Sequence, residues 1–150
     1  MTYTVADLLK MTSGQLDALF STGTVGDIPN GPAKGTAIIA SGTIYSPEIA
    51  EFASLFVWQG KTFDAAAGLL RNRILPMGLN AIVARVYKAN SLLDGKECIV
   101  LDYSETSVVA QWIRDEIRLI APDFYLGRVY WSNKPLIHFS LQFGAAVSTD

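Results

Sequence analysis

The chain has 150 residues, 50% of them hydrophobic and 17% charged, with 12 Lys plus Arg against 14 Asp plus Glu. That is the profile of one compact soluble domain, and at this size folding buries about two thirds of the extended chain's surface, so the core needs no metal or disulfide staple. Two Lys against five acids give −3 over residues 1–60, ten basic against nine acidic residues give +1 over 61–150, and no like charges run together, which excludes counterion-driven nucleic-acid binding.

One cysteine and one histidine cannot supply a zinc site, and Cys98 has no intramolecular partner for a disulfide. No metal or cofactor is therefore expected. Met1 to Lys10 lacks a basic start followed by an apolar stretch, and nowhere do 18 apolar residues run together, so a cytoplasmic protein without a membrane span is expected.

Residues 5–20 place Val5, Leu8, Leu9, Leu16, Leu19 and Phe20 at helical spacing, and Thr12 with Gln15 matches a capping box. One helix broken at Ser13-Gly14, or two short ones, is predicted. Ser21 to Gly35 is rich in glycine and proline and reads as a loop; Thr36 to Ala40 reads as a short strand. Ser46-Pro47-Glu48, followed by Ile49, Phe52, Ala53 and Phe56, predicts a helix over 47–57.

The pattern then changes. Gly68 to Leu75, Leu79 to Lys88 and Glu97 to Tyr103 read as successive antiparallel strands, separated by turn signals at Pro76-Met77-Gly78 and Asp94-Gly95. Val109, Trp112, Ile113, Ile117 and Ile120 form a helical stripe within 107–121, behind caps at 104–107 and ahead of Pro122. Phe124 to Trp131 and Pro135 to Phe143 return to strand, and the tail from Gly144 reads as frayed.

No repeat, low-complexity stretch or linker divides the chain, so residues 1–150 read as a single domain: a helical and loop wrap over 1–35, then 36–143 with helices near 47–57 and 107–121. The fold class is mainly β (α+β). Consecutive hairpins make antiparallel sheet, either closed as a barrel of eight strands or fewer or left open under two or three helices.

The stretch Trp58-Gln59-Gly60-Lys61-Thr62-Phe63, then Pro76-Met77-Gly78, Asp102-Tyr103 and Leu126-Gly127, resembles the small bacterial calycin-like (lipocalin-like) barrels with a G-x-W-x-G motif. The likeness covers residues 56–143. Phe56 stands where the first glycine of the motif would lie, and a helix at 107–121 departs from the pattern. The resemblance implies an antiparallel calycin-like β-barrel with flanking helices and an interior suited to a small apolar or amphipathic molecule.

Along the last strand Ile137, Phe139, Leu141 and Phe143 share a core face, and Leu136, His138, Ser140 and Gln142 share a mixed one. Arg71, Arg73, Arg85 and Arg128 recur within apolar strands, where a guanidinium turned inward needs a carboxylate, the protein's own or a ligand's. On parity and rarity the expected ligand-binding residues are Trp58, Arg85, Tyr87, Tyr103, Arg128 and His138, with Arg85 and His138 as orienting groups. Catalytic residues are unknown; Asp102 and His138 are the candidates for a base, although Asp102 suits capping or an arginine partner better. Asp115 and Arg118 read as a helical surface pair, and Cys98 as a small buried residue. The loop Gly23 to Gly35 is no phosphate cradle, because it lacks Gly-Lys-Ser/Thr and leads into a strand.

The expected function is binding of a small lipophilic molecule inside the barrel. The alternatives are a cofactor-free isomerase, cyclase or hydrolase of a hydrophobic metabolite, and a filled barrel acting as an interaction module. Whether the chain is an enzyme, and whether it forms a homo-oligomer, the sequence leaves open.

Overall fold

The computed structural model describes residues 3–40, 47, 58–74, 79–106 and 111–144, with side chains at all of these except 58–60, 72–74 and 79–82. Two short helices, α1 (Val5–Leu9) and α2 (Ser13–Thr22), precede eight strands: β1 (Gly31–Ile38), β2 (Trp58–Asp64), β3 (Leu69–Ile74), β4 (Leu79–Asn90), β5 (Glu97–Asp102), β6 (Ile113–Ala121), β7 (Phe124–Trp131) and β8 (Lys134–Gln142). Each strand pairs antiparallel with the next, and β8 returns to pair with β1, so the sheet closes as a barrel. The expected meander is present, and closure removes the sheet edges that an open arrangement would expose.

The helices begin where the sequence placed them. Thr12 Oγ1 accepts from Gln15 N at 3.2 Å while Thr12 N donates to Gln15 Oε1 at 2.9 Å, and Thr4 with Asp7 repeats the device at the start of α1. Between β7 and β8, Ser132 and Asn133 both have positive φ, 49° and 66°, as a two-residue type I′ hairpin turn requires. Among the described residues no helix is long and apolar enough to cross a membrane.

Two expectations meet the structure differently. The stretch predicted as a helix near 107–121 is strand β6 from Ile113 onward, because its residues alternate: Ile113, Asp115, Ile117 and Leu119 face one side, and Arg114, Glu116, Arg118 and Ile120 the other. The glycine-rich loop also ends earlier than expected, since β1 starts at Gly31 and pairs through Pro32 with Thr62 at the barrel rim. The helix expected over 47–57 and the tail beyond 144 lie outside the described residues, apart from helical Pro47.

The sheet has two buried faces. Inside, Phe63, Leu70, Ala84, Val86, Ile99, Leu101, Ile117, Val129, Phe139 and Leu141 are among the residues of one apolar cluster. Outside, α1 and α2 lie against the wall, burying Leu8, Leu16 and Phe20 on Ile38, Cys98, Val100 and Leu126. That double burial explains why β7 reads as nearly continuous hydrophobic sequence.

The ends of the barrel differ. At the end where β1 begins, the rings of Phe63, Tyr125 and Phe143 meet at centroid distances of 5.4 and 5.5 Å, and Tyr125 Oη donates to Asp27 O at 3.0 Å. Val25 and Ile28 pack on the same cluster, so aromatic rings and the segment before β1 stopper this end. Ile38, Trp58, Ile74, Leu79, Asp102, Ile113, Trp131 and Lys134 mark the opposite end.

Gly127 sets the position of Phe139. A Cβ added at Gly127 would fall within the Phe139 ring, its cross-strand neighbour on β8. Gly127→Ala should therefore lower stability by about 1–3 kcal/mol, as overpacked cores do, and adding Phe139→Leu should recover part of that loss. Urea unfolding of the single and double variants measures both; an unchanged midpoint for Gly127→Ala would contradict this account of the packing.

Candidate ligand site in the barrel interior

Among the described residues, the apolar interior holds one charged group. Lys61 projects inward from β2 between its neighbours Ala33 and Asn72, and Asp115 projects inward from β6 between Leu101 and Val129. Strands β2 and β6 stand opposite each other in the eight-membered ring, so the long lysine side chain crosses the interior to reach the carboxylate. Lys61 Nζ lies 3.7 Å from Asp115 Oδ2, with both side chains at most 2% exposed.

Tyr103, which continues β5 inward, completes the group. Lys61 Nζ donates to Tyr103 Oη at 3.0 Å, and the ammonium stands 5.7 Å from the ring centroids of both Tyr103 and Phe139. Asp115 Oδ1 is buried and has no hydrogen-bond partner among the described residues. Burial pushes the Asp115 carboxyl up to about 6 against the opposing pull of Lys61 and Tyr103, and burial brings the Lys61 ammonium down to about 8 against the pull of Asp115. At neutral pH the two are an ion pair at a long separation, with one carboxylate oxygen unsatisfied among the described residues.

Of the residues expected to bind a ligand, only Tyr103 is seen inside. Arg85 faces out and pairs with Glu105 at 2.6 Å, both side chains more than half exposed. Its neighbours Ala84 and Val86 take the inward positions, so the parity of β4 is opposite to the one that made Arg85 an orienting group. Tyr87 also faces out, donating to Asp102 Oδ2 at 2.7 Å. Arg71 is exposed. The side chains of Trp58 and Arg73 lie outside the described residues.

Arg128 and His138 sit on the outer wall beneath α2. Asp17 of α2 accepts from Arg128 Nε at 2.9 Å, and the same oxygen lies 2.7 Å from His138 Nε2. Arg128 continues to Tyr130, whose hydroxyl donates to Glu116 Oε1 at 3.5 Å; Glu116 is fixed in turn by Ser91 Oγ at 2.6 Å, Leu92 N at 2.8 Å and Arg114 Nη2 at 2.9 Å. This network fastens α2 and the β4–β5 connection to the wall. Arg85 and His138, the expected orienting groups, and Arg128 with them, thus have their described partners on the outer side of the sheet and not in the interior.

Both candidate bases are engaged by neighbouring side chains on the outer side of the sheet. Asp102 accepts from Ser104 N at 2.9 Å, Ser104 Oγ at 2.6 Å and Tyr87, and these bonds hold its carboxyl below the usual range despite partial burial. These contacts make an Asx-type turn at the end of β5, and among the described residues no helix start follows it. Burial lowers the imidazolium affinity of His138, with Asp17 opposing. The unfolded chain therefore binds that proton more readily, so this histidine contributes stability above about pH 6.5 that is lost as pH falls. Urea midpoints between pH 5 and pH 8 should show a smaller acid-side decline in His138→Gln than in the wild type, and identical profiles would refute the assignment. Among the described residues no group of three His, Cys, Asp or Glu side chains is placed to hold a metal.

Sequence reading passed over Lys61 and Asp115. The available signal was the alternation Ile113-x-Asp115-x-Ile117-x-Leu119, which puts a carboxylate on an otherwise apolar strand face; the helical reading instead paired Asp115 with Arg118, which the strand turns to the opposite side.

No protein-family model matches the chain, and no curated protein matches it in sequence. Among solved structures, the crystal structure of a protein from Thermomonospora curvata superposes with a TM-score of 0.61 at 17% identity, covering 90% of this chain and 89% of that one, and so shares its fold.

Proposed function

We propose that the barrel binds a small lipophilic or amphipathic molecule at the end of its interior away from the Phe63–Tyr125–Phe143 stopper, as calycin-like barrels do. One observation carries this reading: a buried lysine–aspartate pair, with Asp115 Oδ1 unsatisfied among the described residues, crosses an interior whose other described side chains are apolar or aromatic. Well-packed apolar residues commonly replace such a pair without loss of stability, so stability alone does not account for it. Binding sites, in contrast, combine apolar lining with a few placed polar groups.

The unsatisfied atom also specifies the ligand's polar end. Asp115 Oδ1 is an acceptor, so it calls for a hydroxyl, amide or amine hydrogen on the ligand, whereas an ionised ligand carboxylate would be repelled. A molecule with an apolar body and a single donor group fits both surroundings.

Native mass spectrometry of protein purified without refolding, beside a denatured sample, should reveal a co-purified molecule of this class. Titration with 1-aminoanthracene, an apolar fluorophore bearing N–H donors, should give saturable emission. Asp115→Leu in a Lys61→Met background removes the charged acceptor and should weaken that binding about tenfold or more. No bound molecule together with no probe binding would make the barrel a filled interaction module, and probe binding indifferent to the double variant would remove Asp115 from the site.

A second reading rests on the opposed shifts of the same pair. A carboxyl raised to about 6 beside an ammonium lowered to about 8 brings an acid and a base close to neutrality, as proton-transfer sites require. Turnover of a bound molecule, followed by its mass, would distinguish a cofactor-free enzyme from a carrier.

A further inference from the structure

A second concave site lies on the outside of the barrel. It is formed where the connection into β6 meets the β7–β8 turn, and its lining includes Asp102, Ser104, Trp112, Arg114, Ser132 and Asn133. Trp112 is 58% exposed, the highest value among the described large hydrophobic side chains that stand out from the surface. Its backbone is nonetheless fixed, since Trp112 O accepts from Ser132 N at 2.9 Å and the turn itself has the rigid two-residue form described above.

Beside the indole stand two opposite charges that do not pair with each other. Asp102 and Arg114 are cross-strand partners on the outer face of β5 and β6, yet each is anchored elsewhere. Asp102 takes three hydrogen bonds from Ser104 and Tyr87. Arg114 donates from Nε and Nη2 to Glu116, at 3.2 and 2.9 Å, and from Nη2 to Asn90 O at 3.0 Å.

These anchors leave a defined remainder. The Nη1 hydrogens of Arg114 have no partner among the described residues, and Asp102 Oδ2 has accepting capacity beyond its single bond from Tyr87. Because Glu116 already balances the guanidinium, Arg114 offers this site hydrogen-bond donors more than net charge. An exposed aromatic face, a donor, an acceptor and the amide of Asn133 therefore surround one hollow.

From this arrangement we infer that the hollow is a saccharide-binding site, with the C–H face of a sugar ring on Trp112 and adjacent ring hydroxyls shared between Arg114 and Asp102. A hydroxyl both donates and accepts, which suits a donor and an acceptor held side by side, and the flat indole suits a ring with one apolar face. This site is separate from the interior and does not depend on the reading proposed for it.

The test is a titration of the full chain with glucose, galactose, mannose, N-acetylglucosamine and their β-linked trimers, followed by tryptophan fluorescence and by saturation transfer to the sugar protons. At least one sugar should bind with a Kd on the order of 1 mM. Trp112→Ala should weaken it at least tenfold and Asp102→Asn several-fold. Asn133→Gly, which keeps the positive-φ turn while removing the amide, guards against a loss caused by misfolding and should weaken binding with an unchanged unfolding midpoint. Retention of 1-aminoanthracene binding by Trp112→Ala would show that the interior is intact, so that the two sites fail or survive separately. Absence of binding across the panel, or binding indifferent to Trp112→Ala, overturns the inference.

Discussion

Replacing Asp115 alone by Leu should lower stability by about 3–5 kcal/mol, whereas adding Lys61→Met to the same chain should bring it back to within about 1 kcal/mol of the wild type, or above it. The single variant leaves an ammonium in the middle of an apolar interior, with Tyr103 as its neutral neighbour. Such a charge has lost the carboxylate that balanced it. The double variant removes both desolvated charges, and its two apolar side chains face Phe139 and the rest of the interior cluster. Urea midpoints at constant m give all three values, and the difference between the double variant and the sum of the singles is the coupling across the barrel. Additive losses would mean that the pair contributes net stability, and would remove the reason for assigning it to a ligand.

The same comparison has a pH signature. The Asp115 carboxyl is raised from 3.8 to about 6, so its protonated form stabilises the fold below the unfolded value, and that contribution is lost as pH rises through about 6. Lys61 is lowered from 10.5 to about 8, so the contribution of its neutral form is present above the unfolded value and is lost as pH falls through about 8. Relative to the double variant, the wild type should therefore be least stable between about pH 6 and pH 8, where both buried groups are charged. A ligand that donates to Asp115 would act most strongly in that same interval.

The β meander could be read from the sequence because its hairpin punctuation is local. Asp94-Gly95 and the turn after Trp131 carry their own conformational preference, and Gly95, Ser132 and Asn133 take the positive φ values such turns require. The capping box of Thr12 and Gln15 was legible for the same reason. Strand β6 was not, since Ile113-Arg114-Asp115-Glu116-Ile117-Arg118 has charges on both faces of the strand, and each face is buried by something distant: the Lys61 side chain within, α2 and the β4–β5 connection without. No local periodicity records partners that arrive from 20 to 100 residues away. The interior pair escapes local pattern for the same reason: a helical periodicity puts Asp115 on a surface, and nothing local in β4 tells the inward Ala84 and Val86 from the outward Arg85. The rarity of His138 directed attention to a residue whose surroundings bind a helix to a wall. Tyr103, at a strand end in an apolar sequence, was the part of the site that local pattern could reach.

On that wall, Arg118→Met should lower stability by about 3–4 kcal/mol, more than any exposed ion pair would. The guanidinium is 1% exposed as a residue and meets Asp94 through two bonds, at 2.6 and 2.8 Å. It also donates to Phe20 O at 3.2 Å, Glu97 O at 3.2 Å and Lys96 O at 3.0 Å, and stacks 4.6 Å above the Phe20 ring. Methionine keeps part of the packing but leaves three carbonyls without this donor at a place water reaches poorly. Phe20 O belongs to the last turn of α2, where a cation also complements the helix dipole. Asp94→Asn should have a smaller effect, about 1–2 kcal/mol, because the arginine retains its carbonyl partners. The Asp94 carboxyl is held well below its ordinary value by Arg118, so its contribution is complete above about pH 4 and fades on acidification, a slope that Arg118→Met should flatten. Hydrogen exchange locates the effect: the amides of α2 should lose protection in Arg118→Met while those of β2 and β3 keep theirs at equal global stability. Uniform loss across the barrel would mean that Arg118 holds the sheet together instead of holding the helix to it.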